Sequence, residues 1–143
     1  MVTFEELNLQ NHRIMELSNV LERLIDDRGM CDNEVTAELF FRYLEEVKAH
    51  LDLEDKHLYK DLLTHSDIQV NNTAKLFLSG SAEIKRIFNR YVRKWCNKQK
   101  IHIRDHKKFV DDTNHMFQMV QARIQDEFEH LYPLLRKVNA KAA

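Results

Sequence analysis

Two glutamates stand at apolar positions of helical segments, where their carboxylates could do chemistry. Glu54 falls between Leu51 and Leu58 in a stripe of apolar residues at helical spacing, and Glu127 has the same setting further along the chain. A buried carboxylate costs several kcal/mol, or takes up a proton, unless something compensates its charge. The pattern therefore predicts a metal ion or a cationic side chain beside these two residues.

The residues one helical turn earlier offer two different compensations. His50 precedes Glu54 by four residues, so an imidazole nitrogen and a carboxylate oxygen face the same side and can bind one ion. Arg123 has the equivalent place before Glu127, and it cannot bind a metal because its guanidinium has no free lone pair. Arg123 could instead stand in for a metal by pairing with Glu127, Glu54 or both, which is the structural alternative to a metal site.

The chain repeats itself around the two glutamates. Four residues recur at a constant offset of 73 positions: Glu54, His57, Leu58 and Tyr59 match Glu127, His130, Leu131 and Tyr132. Packing of two amphipathic helices explains matching leucines more easily than matching polar residues. A repeated helix pair predicts pseudo-two-fold symmetry. We expect His57 and His130 to lie at the edge of the apolar faces, as neighbours of the site.

The elements that position these residues are predicted to be helices. The 143 residues are 43% hydrophobic and 31% charged, with 2 Gly and 1 Pro, too few turn residues for a β or α/β fold and too apolar for disorder. Caps, breakers and apolar spacing predict four helices in one domain over residues 1–143. These helices run from Thr3 to a left-handed Gly29 stop, from Asn33 or Thr36 to Thr64, from Asn72 or Thr73 to Asn97, and from Arg104 to Val138. Short connections favour an all-α, antiparallel up-down-up-down four-helix bundle.

The first and third helices offer other polar candidates. On the first, His12 falls to one side of the apolar stripe and Asn11 lies nearer to it, so either residue can be the inward one, depending on a one-residue register. On the third, Ser81 is the small polar gap in the apolar face, close to the predicted level of Glu54.

These residues resemble the hemerythrin-like family, also called HHE cation-binding domains. The resemblance is carried by His50-x3-Glu54 with Leu58-Tyr59, and by Glu127 with the ending Leu131-Tyr132-Pro133-Leu134-Leu135. It implies a four-helix bundle built as two helix pairs around a non-haem iron centre. It also implies a protein that senses, carries or buffers oxygen, nitric oxide or redox state.

The family has an inward histidine on helices one and three and His-x3-Glu on helices two and four, and this chain departs from that pattern. Arg123 and Ser81 stand at two of the histidine positions. The resemblance then implies a mono- or dinuclear iron site on His50, Glu54, Glu127 and His12. The alternative is a metal-free, degenerate bundle that acts as a regulatory or adaptor protein.

A weaker alternative is a ferritin-like di-iron carboxylate protein. The spacings Glu54-x2-His57 and Glu127-x2-His130 fit that class, which also needs a glutamate from each of the other two helices. Glu16 and Glu83 are the available residues, although neither lies centrally on an apolar stripe.

Charge is unevenly distributed, although the net charge is −1. Residues 85–108 carry ten Lys or Arg against Asp105. A solvated face that balances the acidic first half explains this patch most simply, an acidic protein partner comes next, and nucleic acid is disfavoured. The candidate partner-binding residues are Lys85, Arg86, Arg90, Arg93 and Lys94.

Other functional classes find little support in the sequence. There is no run of 18 apolar residues, no secretory signal pattern, and the two cysteines have no CxxC spacing, so we expect a reduced cytoplasmic protein without membrane contact. No Ser/His/Asp or Cys/His arrangement and no Gly-rich phosphate loop can be assigned. No catalytic residue is predicted, and a binding role, with a diatomic gas as ligand if iron is bound, is favoured over an enzymatic one.

Overall fold

The computed structural model describes the backbone of residues 3–142 and the side chains of residues 3–138. This part of the chain is all-α apart from one small hairpin. Its helices are α1 (Phe4–Asp26), α2 (Arg28–Cys31), α3 (Glu34–His57), α4 (Tyr59–Leu63), α5 (Ile68–Trp95), α6 (His106–Asp126) and α7 (Tyr132–Ala142). A π-helical segment, Glu127–Leu131, joins α6 to α7, and strands β1 (Cys96–Asn97) and β2 (Lys100–Ile101) pair antiparallel. Among the described helices, none combines the length and apolar character needed to cross a membrane.

Each of the four long helices begins at a side-chain cap. Thr3 Oγ1 accepts a hydrogen bond from the Glu6 amide, and Asn33, Asp67 and Asp105 cap α3, α5 and α6 in the same way. The predicted starts of the first, second and fourth helices are therefore close to those observed. The predicted start of the third helix is wrong, because the Asp67 carboxylate caps the chain several residues before Asn72.

The predicted helix ends differ more from the structure. Gly29 is not a left-handed stop, since it lies within α2, and the chain turns at Asp27, whose carboxylate accepts hydrogen bonds from the amides of Gly29 and Met30. The second predicted helix is interrupted at Leu58. The third ends at Trp95, where the unpredicted hairpin begins.

Contacts between successive long helices run in opposite directions. Gln10 near the start of α1 meets His50 near the end of α3. Phe40 near the start of α3 meets Tyr91 near the end of α5. Tyr91 in turn meets Thr113 near the start of α6. The long helices α1, α3, α5 and α6 are thus antiparallel to their neighbours in sequence, as expected for short connections.

Two apolar clusters fill the interior, and polar residues separate them along the helices. The large core contains Ile14, Leu51, Ile84 and Val120 among its members, and the small core contains Leu7, Leu58, Phe77 and Leu131. Between the two cores each long helix, with the π segment continuing α6, contributes buried polar side chains. We call them the polar layer: Asn11, His50, Glu54, Ser81, Arg123 and Glu127.

Candidate metal centre

The predicted ligands His50, Glu54 and Glu127 come together inside the polar layer. His50 is 2% exposed and both glutamates are fully buried. One nitrogen of the imidazole and one oxygen of each carboxyl group all lie within 4.8 Å of one another. The fold therefore gathers a nitrogen and two oxygen ligands from α3 and the π segment at one buried point.

Glu127 is surrounded by donors. Its Oε1 accepts hydrogen bonds from His50 Nε2 (2.9 Å) and the Tyr132 hydroxyl (3.0 Å), and its Oε2 accepts one from Arg123 Nε (2.8 Å). Burial alone would raise the pKa of this carboxyl. The hydrogen bond and charge of His50, joined by the charge of Arg123, lower the pKa below its usual value. Glu127 is therefore the ionised member of the pair.

Glu54 is in the opposite situation. Within residues 3–138, neither of its oxygens has a hydrogen-bond partner when the group is a carboxylate. His50 Nε2 and Arg123 Nη2 stand 3.5 Å and 3.7 Å from Oε1. Burial, followed by the charge of Glu127, raises the pKa of Glu54 well above its usual value. In the absence of a metal, Glu54 is therefore the member of the pair that takes up a proton.

Arg123 occupies the position predicted for a metal-replacing cation. Its Nε donates to Glu127, its Nη1 donates to the Phe77 carbonyl oxygen (2.9 Å) and its Nη2 donates to the Tyr59 hydroxyl (2.6 Å). The guanidinium also lies 4.9 Å from the centre of the Phe77 ring. Gly80 gives it room, since a Cβ there would approach Nη1 to 2.9 Å.

The π segment explains how Tyr132 reaches Glu127. The Tyr132 amide donates to the Glu127 carbonyl five residues earlier, which brings the two residues to one face of the helix. Pro133 follows directly, and a proline has no amide hydrogen to continue an α-helical ladder. We attribute the change of helical pitch to this proline, the only one in the chain.

Gln10, Tyr59 and Tyr132 belong to the site although the sequence did not predict them as site residues, whereas Asn11 was a candidate. Gln10 Oε1 accepts from His50 Nδ1 (2.8 Å), an arrangement that directs Nε2 toward the two glutamates. Asn11 Nδ2 donates to the Tyr132 hydroxyl (2.6 Å). Tyr59 and Tyr132 were visible as matching positions of the repeat. Gln10 carried no signal, because it is a polar residue beside the apolar stripe.

The structure corrects the prediction that His12 is a ligand. Asn11 is the inward residue of the first helix, and one residue further the helix turns by about 100°, so His12 points to solvent. The His12 side chain is 67% exposed and pairs with Glu16.

The histidines of the ferritin-like alternative also face solvent. His57 and His130 are exposed rather than placed at the edge of the site. Glu16 and Glu83 are likewise exposed, in contact with His12 and Arg86. The residues that this alternative requires are therefore not brought together.

The remaining candidates lie outside the group of ligands. Ser81 is buried, but its hydroxyl donates to Asp55 rather than to a site residue. Lys85 forms ion pairs with Asp52 (2.7 Å) and Asp55 (2.5 Å). Lys94 pairs with Asp112 and Arg86 weakly with Glu83, while Arg90 and Arg93 are exposed. The predicted basic surface thus has two of its five cations engaged in closer ion pairs.

The donor set fits one metal ion. One imidazole nitrogen and two carboxylate oxygens suit a borderline or hard divalent ion such as iron, manganese or zinc, and three protein ligands leave positions open. The unpartnered oxygens of Glu54 are the atoms that such an ion would satisfy. Beside Glu127, Arg123 fills the place of a further ligand, so the described residues do not provide for a second ion.

No protein-family model matches the chain, and no curated protein or solved structure is significantly similar to it.

Proposed function

We propose that this chain is a hemerythrin-like four-helix bundle that binds one non-haem metal ion, iron in the first place, on His50, Glu54 and Glu127. Its role is to sense, carry or buffer oxygen, nitric oxide or redox state. The antiparallel contacts of the long helices, the repeat that relates Glu54 to Glu127, and the burial of all three ligands support this proposal.

The observation that carries the proposal is the state of Glu54. A fully buried carboxylate without hydrogen-bond partners among the described residues is costly, and proteins tolerate such groups where a proton or an ion compensates them. One ligand atom each of His50 and Glu127 lies within 4.8 Å of a Glu54 oxygen, so all three residues can bind the same ion. An apolar residue of similar size would fill the same space without this cost.

The protein side chains prepare the site for an ion. Gln10 accepts from Nδ1 of His50 and thereby keeps its Nε2 directed at the carboxyl groups. Tyr132 and Arg123 hold Glu127 ionised and fixed. A bound ferrous ion supplies an open coordination position and a redox couple, while the two apolar cores keep bulk water away from it.

Elemental analysis after anaerobic, iron-replete purification tests the proposal. We expect about one metal ion per chain and a higher melting temperature than in chelator, because an ion that binds only the folded state stabilises it by about 2.7 kcal/mol at a hundred times its Kd. Glu54→Gln should lose the metal and this thermal shift. His12→Ala, at an exposed position of the first helix, should keep both. Absence of stoichiometric metal, together with an unchanged melting temperature in chelator, would refute the proposal.

A second candidate function is favoured by Arg123. Its Nε, Nη1 and Nη2 all contact buried partners, so the polar layer is largely neutralised without a metal. In this reading the chain is a metal-free regulatory or adaptor bundle. The exposed Arg86, Arg90 and Arg93 on α5 would then bind an acidic protein partner.

Binding of polyglutamate tests this second function separately. The double charge reversal Arg90→Glu with Arg93→Glu should weaken binding at least tenfold, and salt should weaken it for the wild type. The matched reversal of Lys107 and Lys108, exposed on α6, should have a smaller effect. Equal losses from both double variants would argue for unspecific attraction by charge.

A further inference from the structure

A second site lies between α3 and α5, away from the polar layer. It is a groove of about 480 Å³, lined in part by residues 96–99 of the hairpin. Its apolar lining comes from both helices, with Leu44, Val47 and Leu51 on α3 and Phe88 and Val92 on α5. Its volume lies within the range typical of small-molecule sites, which are mostly apolar with a few polar groups.

The groove is elongated along α3. Its lining extends from Phe41 to Leu51 along α3, which corresponds to about 15 Å at the rise of an α-helix. Yet Leu44, Val47 and Phe88 in its floor are each less than a tenth exposed. A partner helix needs a broad exposed apolar face, which this floor does not present. A thin, flexible hydrocarbon chain fits the shape better.

The rim of the groove is basic. Lys48, Lys85 and Lys98 line it, against the carboxylate of Glu45. Lys85 is already neutralised by Asp52 and Asp55. Among the described residues, no carboxylate lies within ion-pair distance of Lys48 or Lys98, so these two cations remain for a ligand.

The hairpin turn that carries Lys98 is built at a conformational cost. Lys98 and Gln99 have φ values of 50° and 64°, in the left-handed region where such two-residue turns usually have Asn and Gly. Strained backbone often persists where function requires a side chain at a given place. Here the turn places both residues in the lining of the groove.

We propose that this groove binds a long-chain carboxylate, a free fatty acid, with its hydrocarbon chain along Leu44, Val47 and Phe88 and its carboxylate at Lys98. The assignment is independent of the metal centre. It rests on the apolar lining along α3 and on the cationic end. A neutral or cationic amphiphile lacks the charge that the rim complements.

Calorimetric titration with dodecanoate below its micellar concentration tests the proposal. We expect saturable binding at one site per chain, with binding at least tenfold weaker for dodecanol and dodecyltrimethylammonium. Lys98→Glu should reduce the affinity for dodecanoate at least tenfold. Lys100→Glu is the matched control, because Lys100 belongs to the same hairpin but lines the neighbouring groove. The affinity of this variant for dodecanoate should stay within twofold of wild type.

The two cysteines provide a readout that does not depend on surface charge. Cys96 lines the groove and is half-buried, and burial raises the pKa of its thiol to about 11. Cys31 lies outside it, with its thiol donating to the Ile25 carbonyl. Dodecanoate should slow alkylation of Cys96 at least threefold while leaving Cys31 unchanged, as followed by peptide mass spectrometry, and Val92→Trp should abolish the protection by filling the groove.

Three results would overturn the proposal. Equal binding of dodecanoate and dodecanol would remove the role of the cation. Protection of Cys31 to the same degree as Cys96 would indicate general coating by the amphiphile. Binding to anionic vesicles or to an acidic amphipathic peptide, without binding of monomeric dodecanoate, would assign the groove to a different partner.

Discussion

The two halves of the chain present the same short motif in two opposite electrostatic states. Glu54 in the first half has no hydrogen-bond partner as a carboxylate among the described residues, whereas Glu127 in the second half accepts three hydrogen bonds. The cause lies in the donors: His50, Arg123 and Tyr132 all donate to Glu127, whereas His50 and Arg123 stand 3.5 Å and 3.7 Å from Glu54. Together with His50, the permanent cation at the second position holds the negative charge on Glu127 and leaves Glu54 to a proton or a metal.

The largest expected effect comes from removal of the cation in the second half. Arg123→Leu should destabilise the protein by about 3–5 kcal/mol, because it leaves the ionised Glu127 buried beside fewer donors. Combination with Glu127→Gln should recover a large part of this loss. Urea unfolding at pH 7 measures both, with the exposed Arg86→Leu as control within about 0.5 kcal/mol of wild type. A loss below about 1 kcal/mol for Arg123→Leu would mean that the polar layer is not held by its charge.

The next prediction separates the two glutamates by pH in metal-free protein. The raised pKa of Glu54 means that its contribution to stability is complete below the unfolded pKa of about 4.3 and is lost as the pH rises toward the folded value. The lowered pKa of Glu127 means that its contribution is present above about 4.3 and is lost as the pH falls.

Glutamine variants should therefore differ from wild type in opposite directions, and in separate pH ranges, when unfolding is followed from pH 2 to pH 8. The free energy of unfolding of Glu54→Gln should rise relative to that of the wild type as the pH rises, by at most about 1.4 kcal/mol per pH unit. The reason is that Gln imitates a protonated carboxyl group. Glu127→Gln should become less stable than wild type as the pH rises from about 2 to about 4.3, and the difference should stay constant above that. Parallel curves for the two variants would contradict the assignment of the charge to Glu127.

A smaller effect is expected at Gly80, where the second half makes room for its cation. Alanine is favoured over glycine in a helix by about 1 kcal/mol, but here its Cβ would meet Arg123 Nη1 at 2.9 Å. We expect Gly80→Ala to destabilise the wild type and to stabilise the Arg123→Leu variant, as measured by thermal unfolding. The exposed neighbour Ser79→Ala should have the same small effect in both backgrounds.

The smallest effects should come from the exposed histidines. His12→Ala, His57→Ala and His130→Ala should each change the free energy of unfolding by less than about 0.5 kcal/mol and leave metal content unchanged. His50→Ala, four residues before Glu54, should instead abolish metal binding. Loss of metal from the His12 variant would mean that the first half contributes a ligand from α1 after all.

Sequence periodicity was sufficient for the helical class and for the inward position of Glu54, Glu127 and Arg123, because buried polar residues interrupt a regular apolar stripe. It could not decide between Asn11 and His12, since adjacent residues share the boundary of a face. The π segment and the hairpin escaped it as well. The π segment depends on Pro133, and the hairpin depends on the left-handed backbone of Lys98 and Gln99. Neither feature changes the spacing of the apolar residues.

The hydrogen bond between Asn11 and Tyr132 has a consequence for the order of folding. It joins residues 121 positions apart, and Tyr132 in turn holds Glu127. Contacts of such sequence separation form late, after the cost of closing the long intervening chain has been met. During synthesis on the ribosome, His50 and Glu54 of the first helix pair therefore stay in water until α6 and the π segment pack against them. The polar layer closes only after Tyr132 has been synthesised, so metal capture by a nascent chain would report that the helices from α1 to α7 had assembled.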